Sequence, residues 1–100
     1  TDTIILAQLM QGDSYGYKIN RAIEMKTGGQ FELKEATLYT AFRRLEQMGF
    51  ITSYWGDENT GARRRYYSIT QYGVENYYRM LAEWEQSKAV IEQLIRPDQT

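Results

Sequence analysis

The chain has 100 residues and a formal net charge of −1, with 12 basic side chains, 13 acidic ones and no cysteine or histidine. This length predicts a single domain whose modest core gains from a partner chain, and the missing residue types exclude disulfides, thiolate zinc sites and the commonest general base. No apolar run approaches a membrane span and no signal-peptide pattern opens the chain, so we expect a cytoplasmic protein without cofactor or metal, preceded by a few further N-terminal residues.

The first part of the chain predicts two short helices. "TIILAQLM" places apolar residues at helical spacing, and "QGDS" ends that helix. Ser14 is expected to cap a second helix that ends at Gly28. The inward positions predicted for that helix are Tyr15, Ile19, Ala22, Ile23 and Met25. The alternation in "QFEL" then predicts a very short strand holding Phe31 and Leu33.

The third helix has the clearest pattern. One apolar stripe, closed by Gly49, consists of Leu38, Phe42, Leu45 and Met48. The opposite, polar face carries Lys34, Thr37, Thr40, Arg44 and Gln47, with Tyr39 and Arg43 on its flank. Threonine and glutamine can contact base edges, arginines supply charge, and the backbone N–H groups at 34–36 can bind a phosphate.

A β-hairpin follows, with strands in "FITSYW" and "RRRYYSI" and a loop around Asn59 and Gly61. Parity predicts an inward face made of Ile51, Trp55, Tyr67 and Ile69. Arg63 and Arg64 are expected to meet phosphate. Arg65 has the parity of the inward residues, so we expect it to form an ion pair with Asp57 or Glu58 instead.

Thr70 is the predicted cap of a final helix of about 25 residues, roughly 38 Å long, that ends at Arg96-Pro97. Its heptad positions are Val74, Tyr77, Leu81, Trp84, Lys88, Ile91 and Ile95. An apolar heptad register predicts pairing with a second helix. We therefore divide the chain into a DNA-binding domain, 1–70, and a dimerisation helix, 71–96.

This order of elements, mainly α with a small β-hairpin, predicts a winged helix-turn-helix whose third helix enters the DNA major groove. Residues 34–65 carry six basic and four acidic side chains, which places a positive surface in a slightly acidic chain. Alternatively, the polar helix face is merely solvated and the arginines protect an edge strand. A protein-interaction adaptor with the same fold is the main alternative function, whereas no constellation of residues supports an enzyme.

Three motifs resemble the PadR family of bacterial transcriptional regulators: "EATLYTAFRRLEQMGFI", "RRRYYSIT" with Gly73, and "YGY" at 15–17. The resemblance implies a winged-helix homodimer that binds a palindromic operator, usually as a repressor, and dimerises through its last helix. It implies DNA contacts from Tyr15, Tyr17, Lys34, Ala36, Thr37, Tyr39, Thr40, Arg43, Arg44, Gly61, Arg63 and Arg64.

"SYWGDE" at 53–58 and the tryptophan in the last helix are most similar to the smaller PadR members, which include the lactococcal-type repressor of a multidrug exporter. That similarity implies a central pore where the two Trp84 rings of a dimer stack planar aromatic ligands. The implied pore residues are Thr3, Leu6, Ala7, Met80, Leu81, Trp84 and Lys88. Alternatively, Trp84 is simple dimer packing. Lys88 replaces an acidic residue of the relatives, which favours anionic or neutral ligands and allows a cation–π contact with Trp84.

Overall fold

The computed structural model describes residues 1–56 and 63–98, which form four helices and one antiparallel hairpin. The elements in chain order are α1 (Asp2–Leu9), α2 (Gly16–Lys26), α3 (Glu35–Gln47), β1 (Ile51–Trp55), β2 (Arg65–Ile69) and α4 (Gln71–Ile95). The predicted class, mainly α with a small hairpin, is confirmed. The described residues extend over 66 × 30 × 22 Å, because α4 projects beyond the rest.

The core lies between α1, α2, α3 and the hairpin. Its fully buried side chains are Ile5, Leu6, Leu9, Ile19, Leu38, Phe42, Leu45 and Ile51. The Phe42 ring stacks on Tyr67 of β2 at 3.9 Å between centroids, which joins α3 to the hairpin. Burial of these side chains follows the predicted apolar stripes.

Two methionines predicted to lie inward are exposed instead. Met25 is 74 % exposed because it follows Ile23 by two residues, about 200° around the helix from the buried face. Met48 is 46 % exposed. It lies just after the last residue of α3, where Gly49, at φ +79°, turns the chain away.

The hairpin pairs Ile51 with Ile69 and Trp55 with Arg65. Ile51 and Tyr67 are buried, as their parity predicts, and Ile69 packs partly against the core. The inward prediction for Trp55 is wrong, since its side chain is 53 % exposed. Trp55 shares the parity of Ile51 but lies four residues further along the strand, about 13 Å from Ile51 and past the buried part of the hairpin.

The short strand predicted at Phe31 and Leu33 is not formed; residues 30–33 contain neither helix nor strand. The Asn20 side chain supplies the hydrogen bonds that a partner strand would give. Its amide donates to the Leu33 carbonyl at 2.9 Å, and its oxygen accepts from the Leu33 N–H at 3.3 Å. Leu33 is therefore buried without a sheet, while Phe31 is 41 % exposed.

Ser14 does not cap α2. The residue before this helix is Tyr15, and its side chain makes no capping hydrogen bond. The Ser14 backbone pairs with Tyr67, donating to its carbonyl at 3.1 Å and accepting from its N–H at 2.7 Å. This bridge ties the start of α2 to the second strand of the hairpin.

Thr70 caps α4, as predicted: its hydroxyl oxygen accepts from the Gly73 N–H at 3.0 Å. The same hydroxyl donates to the Gly49 carbonyl at 2.7 Å, joining the starts of β1 and α4. Tyr77 and Met80 pack against the core, whereas residues 82–95 of α4 are exposed throughout. The helix ends at Ile95, immediately before the Arg96-Pro97 pair that was predicted to end it.

Candidate nucleic-acid interface

The exposed face of α3 carries the side chains predicted to contact DNA. All seven positions predicted on α3 and at its N-cap are exposed: Lys34, Ala36, Thr37, Tyr39, Thr40, Arg43 and Arg44. Buried Leu38, Ala41 and Phe42 occupy the opposite face, which fixes the orientation of the helix. No side chain caps the N-terminus of α3, and no residue in 1–56 or 63–98 forms an ion pair with Arg43.

Arg44 forms a two-point ion pair with Asp2 of α1. Its Nε donates to Asp2 Oδ2 at 3.2 Å, and its Nη2 donates to Asp2 Oδ1. The hydrogen bond to this carboxylate raises the pKa of Arg44 further above its ordinary value. A groove of about 370 Å³ beside the pair is lined by Thr1, Ala36, Thr37, Thr40 and Arg44.

The "YGY" motif lies where α2 meets α3. Tyr17 is 69 % exposed, while Gly16 is buried beneath Tyr39 of α3. A Cβ at position 16 would lie 3.0 Å from the Tyr39 hydroxyl oxygen and 3.4 Å from Leu38. Glycine at position 16 therefore lets the ring of Tyr39, a predicted DNA-contacting residue, pack closely against the start of α2.

The arginines of the hairpin lie on aromatic rings. The guanidinium carbons of Arg63 and Arg65 lie 5.2 and 5.6 Å from the centroid of Trp55, and that of Arg64 lies 4.8 Å from the centroid of Tyr15. These distances are typical of cation–π contacts, which orient the guanidinium groups without neutralising their charge. Gly61, also predicted to contact DNA, lies outside the described residues.

Arg65 forms an ion pair with Glu46 of α3, a partner that was not predicted from the sequence. Its Nη2 lies 3.8 Å from Glu46 Oε2 and donates to Ser53 Oγ at 2.7 Å. The Ser53 hydroxyl in turn donates to Glu46 at 3.1 Å. The predicted partners, Asp57 and Glu58, lie outside the described residues. This network joins α3 to both strands.

An aromatic stack supports the same surface. Tyr66 meets Tyr15 edge-on at 5.3 Å and stacks on Tyr54 at 5.6 Å. The Tyr54 hydroxyl donates to Asp13 at 2.6 Å, and this hydrogen bond raises the pKa of Tyr54. Beside Tyr15 lies a groove of about 460 Å³, lined by Tyr15, Gly16, Tyr17, Tyr39, Trp55, Arg63, Arg64, Arg65 and Tyr67. It runs from α2 and α3 to the hairpin and combines aromatic faces with positive charge.

The residues that the resemblance assigned to a ligand pore lie on α1 and α4. The Thr3 hydroxyl donates to the Met80 sulfur at 3.6 Å, which brings those two together. Lys88 Nζ lies 5.3 Å from the centroid of Trp84, so the expected cation–π contact is present. Leu6 is fully buried within the core and does not reach a surface. Ala7 and Leu81 are half-buried.

The heptad positions of α4 divide into two groups. Val74, Tyr77 and Leu81 are half-buried against the rest of the chain. Trp84, Ile91 and Ile95 are 57, 54 and 70 % exposed, and Lys88 is also exposed. The second half of α4 thus presents large apolar side chains that no described part of the chain covers.

A model of the PadR-like transcriptional regulator family matches residues 5–88 of this chain. The chain belongs to this family. A transcriptional regulator from Clostridium thermocellum is 48 % identical, with a TM-score of 0.89 over 96 % of this chain and 93 % of that one. A PadR family regulator from Clostridium difficile is 35 % identical, with a TM-score of 0.80 over 95 % of this chain and 97 % of that one.

Bacillus subtilis PadR, solved in complex with operator DNA, has the same fold as this PadR-like chain. It is 22 % identical, and the TM-score is 0.69 over 99 % of this chain and 49 % of that one. The predicted winged helix-turn-helix with a long last helix is therefore confirmed. PadR-like proteins are transcriptional regulators and not enzymes, as the sequence indicated. Neither described stretch contains a helix with the length and apolar character needed to cross a bilayer.

Several contacts around the residues predicted to bind DNA were not predicted from the sequence of this PadR-like chain. Asp2 pairs with Arg44, Glu46 pairs with Arg65, and Trp55 underlies two arginines. Asp2 and Arg44 are 42 residues apart, so no helical or strand periodicity relates them. Gly16 was noted within its motif, but its role depends on a tertiary contact with Tyr39.

Proposed function

We propose that this PadR-like regulator is a repressor that binds a palindromic operator as a homodimer. The observation that carries the proposal is that two adjoining grooves between α3 and the hairpin are lined by arginines, one by Arg43 and the other by Arg63 and Arg64. Arg43 extends from α3 without an ion pair to any described residue, while Trp55 and Tyr15 support Arg63 and Arg64. Arginines held in this way can meet phosphate with little loss of side-chain entropy.

The helix and the hairpin are assigned different tasks. The exposed side chains of α3, with Thr37 and Thr40 at its centre, would contact base edges in the major groove. The uncapped N–H groups at the start of α3 would bind a phosphate. Arg63 and Arg64 would bind the adjacent backbone, which adds affinity but little sequence preference.

The homodimer would form through the second half of α4. Trp84, Ile91 and Ile95 are more than half exposed in the single chain, and their heptad spacing suits a helix of a second copy. Large exposed apolar patches are rare on monomers and mark interfaces. The proposal retains the division into a DNA-binding domain, 1–70, and a dimerisation helix, 71–96.

The test measures mass and DNA binding on the same preparation. Sedimentation should give a dimer, and Ile91→Asp should give monomers because it places a charge in the apolar seam. The wild-type dimer should bind duplex DNA with an affinity that falls steeply with salt, about 0.9 in log affinity per neutralised phosphate per log unit of salt. A normal dimer without DNA affinity at low salt would favour the protein-interaction adaptor.

We also propose that planar aromatic ligands bind between the two Trp84 rings and release the operator. Indole faces bind varied planar molecules with little directional demand. The support on this chain is Lys88, which lies on the Trp84 ring and brings a positive charge to the proposed pore. We therefore expect anionic or neutral ligands.

Quenching of tryptophan fluorescence tests the ligand proposal, with 1-pyrenesulfonate as the anionic probe and ethidium as the cationic one. Wild type should prefer the anion, and Lys88→Glu should reverse the order, each charge contributing about 1 kcal/mol, or roughly fivefold. Trp84→Ala should abolish saturable quenching. If quenching survives that substitution, the site is not at Trp84, and Trp55 becomes the reporter to examine.

A further inference from the structure

Asp2 is an unexpected neighbour for an arginine of the DNA-facing helix. A carboxylate beside DNA repels phosphate, so a surface built for general affinity would leave Arg44 unpaired. Asp2 instead binds it at two points, through Nε at 3.2 Å and through Nη2. The pair lies next to a groove that also exposes Ala36, Thr37 and Thr40 of α3.

Asp2 is held by the fold and is not part of a loose terminus. It is the first residue of α1, whose Ile5 and Leu6 are fully buried. The next residue, Thr3, donates to the Met80 sulfur of α4. The backbone that carries the carboxylate is therefore anchored within reach of Arg44 on α3.

The hydrogen bonds between Asp2 and Arg44 use only one edge of the guanidinium group. A guanidinium has five N–H donors, and Asp2 accepts one from Nε and one from Nη2. The outer fork, made of Nη1 and the second Nη2 hydrogen, points away from the carboxylate. Each Asp2 oxygen has a second lone pair that can accept another hydrogen bond. The pair thus offers two hydrogen-bond donors, on Nη1 and Nη2 of Arg44, and beside them one acceptor, an oxygen of Asp2.

We propose that Asp2 and Arg44 act as one unit that recognises a G·C base pair in the major groove, an inference that rests on the proposed DNA binding. Guanine presents two acceptors there, N7 and O6, and cytosine presents the N4 amino donor. The outer fork of Arg44 meets guanine while Asp2 accepts from cytosine, in the same or the adjoining base pair. The sequence assigned Arg44 to DNA but gave Asp2 no role.

The carboxylate also limits binding to other sequences. Where the base facing Asp2 presents a carbonyl acceptor or a methyl group instead of an amino group, the carboxylate has no donor, and its charge opposes nearby phosphate. Arg44 is neutralised by its partner and adds little to the general attraction. The unit therefore contributes sequence preference more than affinity.

The test is selection of binding sites from randomised duplexes, followed by affinities for the selected and for random-sequence DNA at several salt concentrations. It compares the wild-type chain with Asp2→Asn, Arg44→Lys and the control Glu75→Gln, which removes an exposed carboxylate of α4. Wild type should select a G·C pair at one position of each half-site. Asp2→Asn and Arg44→Lys should lose that preference by roughly 5- to 140-fold while retaining the rest of the motif.

Affinity for random-sequence DNA gives a second readout. Asp2→Asn should bind it more tightly than wild type and steepen the salt slope by up to about 0.9 per subunit, because Arg44 becomes available to phosphate. Glu75→Gln should leave the selected motif unchanged. Arg44→Lys keeps the charge and leaves α1 intact, so it remains informative even if Asp2→Asn weakens the first turn of that helix.

The failures of the two proposals are distinguishable. If wild type selects a motif and both variants select the same one, including the same preference at every position, the Asp2–Arg44 unit does not recognise a base pair. A motif with no G·C preference at any position has the same consequence. If wild type selects no motif at all, the proposed operator binding itself is wrong.

Discussion

Trp55→Leu removes the aromatic face beneath two arginines without removing charge. Trp55 is 53 % exposed, and Arg63 and Arg65 lie 5.2 and 5.6 Å from its ring centroid. Arg65 is also held by Ser53 and Glu46, so the loss falls mainly on Arg63. An exposed cation–π contact contributes about 0.5–1 kcal/mol. In the proposed dimer the two hairpins together give about 1–2 kcal/mol, or roughly 5- to 30-fold in affinity for DNA.

Fluorescence anisotropy of a labelled duplex at several salt concentrations measures this effect. Affinity should fall by that factor while the salt slope stays at the wild-type value, since the same phosphates are neutralised. The free energy of unfolding should change by no more than about 0.5 kcal/mol, as for other exposed positions.

Tyr72→Leu is the matched control. Tyr72 is 55 % exposed and its ring lies 5.2 Å from that of Phe50, on α4 and away from the arginines. It should leave DNA affinity unchanged. Two results would refute the reasoning. In the first, Trp55→Leu binds DNA with the affinity of wild type. In the second, its salt slope falls by the value expected for one neutralised phosphate, which would mean that the arginine charge itself had been displaced.

Three further predictions follow from single contacts. Gly73→Ala should lower the free energy of unfolding by about 2 kcal/mol or more, because the added Cβ would lie 2.1 Å from the Phe50 carbonyl oxygen. The loss should occur despite the better helix propensity of alanine. Urea unfolding measures this change, and unchanged stability would contradict the tight packing at Gly73. Arg63→Ala should reduce the salt slope of DNA binding by about 0.9 per subunit, whereas Arg65→Ala should leave it unchanged, and equal slopes for both variants would disprove the distinction. Burial raises the pKa of Tyr67 above its ordinary value of about 10, so folding favours the neutral phenol. This contribution to stability is fully present below about pH 10 and is lost as the pH rises from there through the raised value. Tyr67→Phe should lessen the alkaline loss of stability in urea unfolding, and an identical loss would contradict this assignment.

The sequence predicted those parts of the fold that depend on local periodicity. Leu38, Phe42 and Leu45 are buried because their spacing places them on one helical face, and Thr70 caps α4 because a short hydroxyl side chain at that position can reach the Gly73 N–H. Periodicity does not say how far the core extends along an element. Trp55 therefore has inward parity but lies beyond the buried region.

Contacts between distant segments could not be predicted in the same way. Asn20 completes the hydrogen bonds of Leu33, which removed the need for the expected strand. The sequence placed Arg44 on the polar face of α3 but did not indicate its partner, because Asp2 lies on a different helix. The resemblance to PadR regulators indicated which face should contact DNA, whereas the pairing of the charges on that face required the tertiary structure.

The most direct test of the account is the affinity of wild type, Arg44→Ala and Arg64→Ala for a selected operator and for random-sequence DNA, across a range of salt concentrations. Arg44→Ala should lose operator affinity and reduce the ratio between the two DNAs, because α3 would provide the base contacts. Arg64→Ala should weaken both DNAs alike and lower the salt slope by about 0.9 per subunit. Equal loss on both DNAs from the two variants would contradict base recognition by α3, and a dimer that binds neither DNA at low salt would contradict the proposed function as a whole.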